Sequence, residues 1–168
     1  MYHEQLVTLA GYNTWANRRL YEAAEALGPE RFAAERGVFF HSMCGTINHI
    51  LAADRIWMHR FTGVGDAPDR LDTILHADFD ALRQAREAED ARIIAFIDTQ
   101  TEEMLAAIFR YIPITRPVPV EGRLGPALFH LFNHQTHHRG QAHAILTGFG
   151  LDAPGLDLIA YLRETGRD

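Results

Sequence analysis

Apolar residues recur at helical spacing in four long stretches of this chain, separated by short segments rich in glycine and proline. The first covers residues 3–27, with Leu6, Leu9, Ala10, Trp15, Leu20, Ala23 and Leu27 broadly on the 3.6-residue period, and Gly28-Pro29 stops it. Gly11 inside this helix costs about 1 kcal/mol relative to alanine, which points to close packing there. Residues 30–40 predict a short helical turn and a loop, with Phe39 and Phe40 directed at something apolar. A second helix begins near Ser42, a good N-cap, and carries Ile47, Ile50, Leu51, Ile56, Trp57 and Phe61 as far as Gly63-Val64-Gly65. Residues 63–77 read as a loop. The third and longest helix is expected from Asp78 to Arg110, on Leu82, Ile93, Ile94, Phe96, Ile97, Met104, Leu105 and Ile108. Its middle, Arg83 to Arg92, mixes both signs of charge and reads as a solvated face. The segment YIPITRPVPV, residues 111–120, predicts an extended stretch or a small hairpin. A fourth helix runs from Arg123 to Thr147, ended by Gly148-Phe149-Gly150, and Asp157 to Glu164 gives a last short helix.

Four long helices with little strand predict an all-α four-helix bundle, and 168 residues without a repeat or a linker fit one domain over 1–168. The composition is 47% apolar, ordinary for a globular chain. A formal net charge of −6 argues against a nucleic-acid binder working through a basic surface and gives no reason to expect an anionic membrane as partner. No apolar run approaches a membrane span, and the first twenty residues lack the pattern of a signal peptide. The single cysteine cannot form an internal disulfide, so a cytoplasmic location is the expectation.

The candidate chemistry lies in the fourth helix. Half of the ten histidines fall between His130 and His143, in HLFNHQTHHRGQAH. His134 and His138 are four apart, as are His130 and His134, and such pairs share one helix face. Two imidazoles on one face are a recurring way to hold a transition metal. A third ligand is offered by His49 on the second helix, whose neighbours Ile47, Ile50 and Leu51 are apolar. Three neutral nitrogens leave a coordination position open, the pattern of a catalytic site. Periodicity alone leaves the pairing within the cluster open, since His137 competes with His138 and His130 forms an alternative pair.

The chain resembles the DinB family of the DinB/YfiT-like metalloenzymes. The resemblance rests on YNTWANRRL near the start, GTINHILAADRIWMHRFTG in the second helix, HLFNHQTHHRGQAHAILTGFG in the fourth, and the tail DLIAYLRE. It implies an up-down-down-up bundle, often a homodimer, with a metal held by His49, His134 and His138. Zinc or nickel is the expected ion. It also implies, through relatives in the wider superfamily, a thiol-dependent transferase using bacillithiol, mycothiol or glutathione, or a hydrolase-like activity. A non-catalytic metal-binding stress-response protein and a dimeric interaction module are the alternatives. His134 is followed by Gln135, so the HExxH base of metalloproteases is missing and a peptidase is not expected.

Other residues receive softer roles. Asp54 lies about 140° round the helix from His49 and is expected to pair with an arginine. Tyr12, Trp15 and Trp57 are expected in the core, the first two with a pocket-lining role as the alternative. Asn17 and Asn48 either orient ligands or tie helices together. Arg139, Gly140 and Gln141 read as structural, Arg139 bridging to an acid and Gly140 admitting another helix. Cys44, near a helix start, is either a dipole-activated thiol or, the favoured reading, a small buried side chain, and His41 with Cys44 forms a weak metal fragment.

Overall fold

Capping residues set the helix ends. The computed structural model describes residues 2–167. Its elements are α1 (Tyr2–Glu25), α2 (Gly28–Ala33), α3 (Met43–Thr62), α4 (Phe79–Asp98), α5 (Glu102–Ala106), β1 (Ile108–Tyr111), β2 (Val120–Arg123), α6 (Leu124–Gly148) and α7 (Leu158–Glu164). Ser42 accepts from the Gly45 N–H at the start of α3, and Asp78 accepts from the Ala81 N–H at the start of α4. Gly63, at φ 73°, closes α3 in the left-handed region.

The expected third helix is shorter than its apolar pattern. It stops at Asp98, and Thr101 caps a separate short helix by accepting from the Met104 N–H. Gln100 donates its amide to the Phe96 carbonyl, so side chains take over the backbone's acceptors at the break. Ile108, placed in that helix by the sequence, instead begins β1. β1 pairs antiparallel with β2 in the register Ile108 to Arg123 and Tyr111 to Val120, with the proline-rich segment as the hairpin loop. The longest helix is therefore α6.

The chain is mostly helical. α1, α3, α4 and α6 form the bundle, with α1 packed on α4 and α6, and α3 packed on the same two. Two apolar clusters fill it. One gathers Leu20, Tyr21 and Ala24 of α1 with Met43, Ile47 and Leu51 of α3, Leu82 of α4, and Ile145 and Leu146 of α6. The other gathers Leu6, Met58, Ile93, Ile97, Leu128 and Phe132. Gly11 is required by α7: a Cβ there would strike the Tyr161 hydroxyl. Tyr12 and Trp15 pack with Tyr161 in a third small cluster. Tyr12 donates to the Leu156 carbonyl at 2.6 Å and Trp15 to Glu164 at 3.1 Å. A Cβ at Gly140 would meet nothing within 4 Å, so the close helix approach expected there does not occur.

Between the two main clusters lies a polar waist at the mid-height of all four helices. The solvated face expected over Arg83 to Arg92 is present at Gln84, Glu87, Ala88 and Ala91, but three of the charges turn inward. Arg86 is 2% exposed, and Glu89 and Asp90 are buried with it. Arg86 Nη1 donates to Asp54 Oδ2 at 2.6 Å, and its Nη2 lies 2.9 Å from Asp90 Oδ1. Asn13 and Asn17 donate to Asp90 from α1 at 3.1 and 3.0 Å. Gln135 donates to Asp54 from α6. Arg139 does not reach an acid directly; it donates to Asn13 Oδ1 at 2.5 Å and to Asn17 Oδ1 and Gln135 Oε1 at 3.1 Å. Mixed charge over one stretch was the misleading signal: the pattern does not distinguish a face turned to water from one turned to Asp54 and to the amides of other helices.

Removing one member of a buried ion pair leaves a charge without compensation and costs about 3–5 kcal/mol. Arg86→Met is expected to lower the urea-unfolding free energy by about that much. Without the guanidinium, the folded-state pKa of Asp54, already pushed up by burial to about 7, rises further. A raised carboxylate contributes stability below its unfolded pKa and loses it as pH rises through the folded value. The deficit of Arg86→Met should therefore be smaller at pH 5 than at pH 8. A deficit under 1 kcal/mol, or one independent of pH, would contradict this account.

Candidate metal centre

α3 and α6 face each other directly, and this contact brings the histidines together. His49 is buried on α3. Its Nε2 lies 3.2 Å from His134 Nε2 and 3.2 Å from His138 Nε2. One ligand atom from each of the three lies within 4.8 Å of the other two, so the group can hold a metal ion. Among the described residues no other group of three or more His, Cys, Asp or Glu side chains is gathered in this way. His137 and His130 are exposed and stand outside it.

The far side of two rings is held in place. His49 Nδ1 lies 2.7 Å from the Leu71 carbonyl, which can only accept, so Nδ1 carries the proton and Nε2 presents its lone pair. The 63–77 loop supplying that carbonyl is fastened by Asn48, which accepts from the His76 N–H at 3.0 Å and donates to the His76 carbonyl at 2.9 Å. His138 Nδ1 lies 3.0 Å from Gln141 Oε1, and the Gln141 amide nitrogen lies 3.2 Å from His137 Nε2. With that orientation the amide donates to His137 and accepts from His138, again freeing an Nε2 lone pair. Gln141 and the Leu71 carbonyl therefore orient the cluster, a role the sequence left unnamed.

Phe40 completes the enclosure. Its ring stacks on His49 at 3.7 Å between centroids and 15° between planes, and meets His138 edge-on at 5.5 Å. Two backbone features bring it there. His41 adopts φ 69°, turning the chain just ahead of the Ser42 cap. The Phe40 carbonyl also sits where a Cβ of residue 45 would be, so only glycine fits at Gly45. Phe39, beside it, is 79% exposed rather than buried.

Burial dominates the electrostatics. It lowers the pKa of His49 to about 4 despite the Leu71 carbonyl, and that of His134 to about 3 with the other imidazoles adding to the effect. His138 moves in the same direction for the same first reason. The three are neutral at pH 7. Acceptor nitrogens 3.2 Å apart repel one another unless a cation lies between them. Two nitrogens each about 2.0–2.1 Å from one zinc are roughly 3.3 Å apart at the tetrahedral angle. Donor type, protonation and spacing all fit a divalent transition metal.

His134 leads outward. It lies on the wall of a cavity of about 190 Å³ shared with Trp57, Arg60, Leu71, Tyr111 and His130. Trp57 is half-buried, packed against the second apolar cluster on one side and lining this cavity on the other. Asp54 and Gln135 point the other way, into the waist, so the position a protease base would occupy is taken by a core amide. Cys44 is buried and its thiol pKa is raised by desolvation, which removes the activated-thiol reading. His41 pairs with Glu35 at 3.1 Å on the surface instead of with Cys44.

The sequence profile of the DinB family matches residues 1–168. The chain belongs to the DinB family. Protein DinB of Bacillus subtilis (strain 168) is 24% identical over 169 aligned positions, spanning 92% of this chain and 91% of that protein. A DinB-like protein from Bacillus cereus ATCC 10987 has a solved structure that matches this DinB-family fold with a TM-score of 0.63. It is 19% identical and covers 84% of this chain and 91% of its own. At that identity the likeness concerns the fold alone.

Two outcomes are expected. Three ordinary imidazoles would lose on the order of 10³ in metal affinity between pH 7.5 and 5.5 through proton competition. Here burial lowers all three values, to about 4 for His49 and about 3 for His134, so zinc added to the metal-free protein should lose clearly less affinity across that window than ordinary imidazoles would. A steep loss already at pH 6 would show that the rings are not held neutral. Gln141→Ala, which frees the His138 ring, should weaken zinc binding about 10–100-fold with the fold intact, as read by competition with a chromophoric chelator.

Proposed function

We propose that this chain is a metal-dependent enzyme whose ligands are His49, His134 and His138, and that it activates a small thiol for transfer to an electrophile. The observation that carries the reading is the convergence of three neutral Nε2 atoms beside a cavity. Zinc and nickel suit an all-imidazole set. The bound ion supplies Lewis acidity that favours the deprotonated form of a thiol or of water.

The protein's own residues supply the rest. Leu71 and Gln141 hold two rings in the tautomer that presents Nε2. Phe40 covers the His49 ring and keeps water from that side. The cavity beside His134 is the remaining approach, so substrate is placed between Trp57, Arg60 and Tyr111. In the transfer an S–C bond forms at the electrophile, its bond to the leaving group breaks, and the thiol proton departs with that group. The absence of a carboxylate among the cluster, with Gln135 turned into the core, favours a thiol, which is acidic enough without a strong base, over the hydrolysis of peptides. A cytoplasmic homodimer with a low-molecular-weight thiol as co-substrate is the form we propose, and a hydrolase-like activity on the same site is the second chemistry to assay. None of the helices is long and apolar enough to cross a membrane among the described residues.

Elemental analysis of the wild type is expected to give about one divalent transition metal per chain, lost in His49→Ala, His134→Ala and His138→Ala. His137→Ala should keep it. Thiol consumption in the presence of small electrophiles should fall at least 100-fold in His138→Ala. Full metal retention in all three ligand variants would overturn the site, whereas metal without turnover would leave a metal-binding protein.

A further inference from the structure

Arg60 is placed differently from the ion-paired arginines of the surface. Arg19, Arg70, Arg83, Arg92 and Arg110 each lie within 4.0 Å of a carboxylate. Arg60 has no carboxylate partner among the described residues. Its guanidinium lies over the Trp57 ring at 4.6 Å and the Tyr111 ring at 4.9 Å, and one nitrogen, Nη2, donates to the Ile112 carbonyl at 3.2 Å. It is half-buried, and it lines the same cavity as His134.

A cation–π contact consumes no N–H donor of the guanidinium. Its edge carries five N–H groups in a fork that matches a carboxylate in two parallel hydrogen bonds. Among the described residues it makes one bond, to Ile112. The rings and the Ile112 carbonyl fix the orientation of the fork, so little conformational entropy is lost when an anion docks. A partly desolvated cation with no counter-charge among the described residues, on the wall of a cavity that a candidate metal ligand also lines, favours an anion.

We infer that Arg60 is the anion-recognition residue of this cavity, held against the Trp57 and Tyr111 rings to receive a carboxylate of a small organic ligand. The cavity, about 190 Å³ and open to solvent on one side, has room for a small organic acid. The assignment of the acid as part of the substrate rests on the proposed function; the anion site itself does not. Arg60 acts here by binding and specificity and is not a group that handles the reacting atoms.

Two tryptophans make the test direct, since Trp57 is in the cavity and Trp15 lies under α7 as an internal control. Succinate is titrated into metal-free protein while both indole N–H signals are followed by nuclear magnetic resonance. The Trp57 signal should move saturably and that of Trp15 should not. Arg60→Gln should weaken succinate at least 10-fold with unchanged signal dispersion, Arg60→Lys should restore part of the affinity, and neutral succinamide should not bind. A second arm uses zinc-loaded protein and compares mercaptosuccinate with thioglycerol. Wild type should prefer the acid at least 10-fold, and Arg60→Gln should erase the preference while leaving thioglycerol unaffected. An unmoved Trp57 signal, equal succinate binding by Arg60→Gln, or a response to inorganic phosphate but not succinate would overturn the carboxylate site. If succinate binds through Arg60 while the zinc-loaded protein takes up neither thiol, the anion site stands and the thiol reading falls. Thiol uptake with no preference for mercaptosuccinate would sink the inference alone.

Discussion

The pairing of Arg86 with Asp54 inside the bundle is the constraint on which the rest of the structure turns. A guanidinium taken out of water costs several kcal/mol unless its charge and its donors are met. Asp54 comes from α3 and Asp90 from the arginine's own helix, and Asn13, Asn17, Gln135 and Arg139 complete the circuit from α1 and α6. Apolar packing alone tolerates small rotations of a helix. This circuit does not, because each turn of a helix about its axis breaks hydrogen bonds that water cannot replace. The candidate ligands are neighbours of its members: His134 precedes Gln135 and His138 precedes Arg139. The geometry of the histidine cluster is thus set by the same bonds that set the register of α6.

Two kinds of buried polarity stand side by side between α3 and α6. The waist meets most of its charge from inside the protein, with Asp54 and Asp90 set against Arg86, although Nε of Arg86 and of Arg139 make no hydrogen bond among the described residues. The histidine cluster is half closed. Leu71 and Gln141 satisfy one nitrogen of His49 and of His138, while the Nε2 atoms face one another with nothing from the protein between them. A fold that depends on the first kind for its rigidity can hold the second in an otherwise unfavourable arrangement, which is the state of readiness that a binding site requires.

Much of this was legible in the sequence. The four long helices follow from apolar spacing, the N-cap Ser42, and the Gly-rich stops. His49, His134 and His138 follow from i, i+4 spacing, a third histidine among apolar neighbours, and the family motifs. What the sequence hid was long-range or backbone in nature. Charges over Arg83 to Arg92 look alike whether they meet water or Asp54 across the bundle. The break after Asp98 depends on Thr101 and Gln100 competing for backbone groups, a local effect weaker than the apolar period that masks it. The Leu71 carbonyl carries no residue-specific signal at all. Phe40 was readable only as apolar, because its stacking on His49 depends on the left-handed His41 and the missing side chain at Gly45. Gly140 shows the reverse error, a glycine taken for a packing contact that meets open space.

The cavity beside His134 is built from unequal materials. One wall is the bundle, with Ala53, Ile56 and Trp57 on α3 and His130 and His134 on α6; the other is Tyr111 and the hairpin loop that follows, with Pro113, Ile114 and Thr115. The loop makes no contribution to the waist and hangs from a two-stranded ribbon. Lengthening or shortening it alters the volume and lining available to a guest while the helices stay where they are. The scaffold therefore separates the part that fixes the histidine cluster from the part that shapes the cavity, and the second can diverge between lineages at small cost to the first.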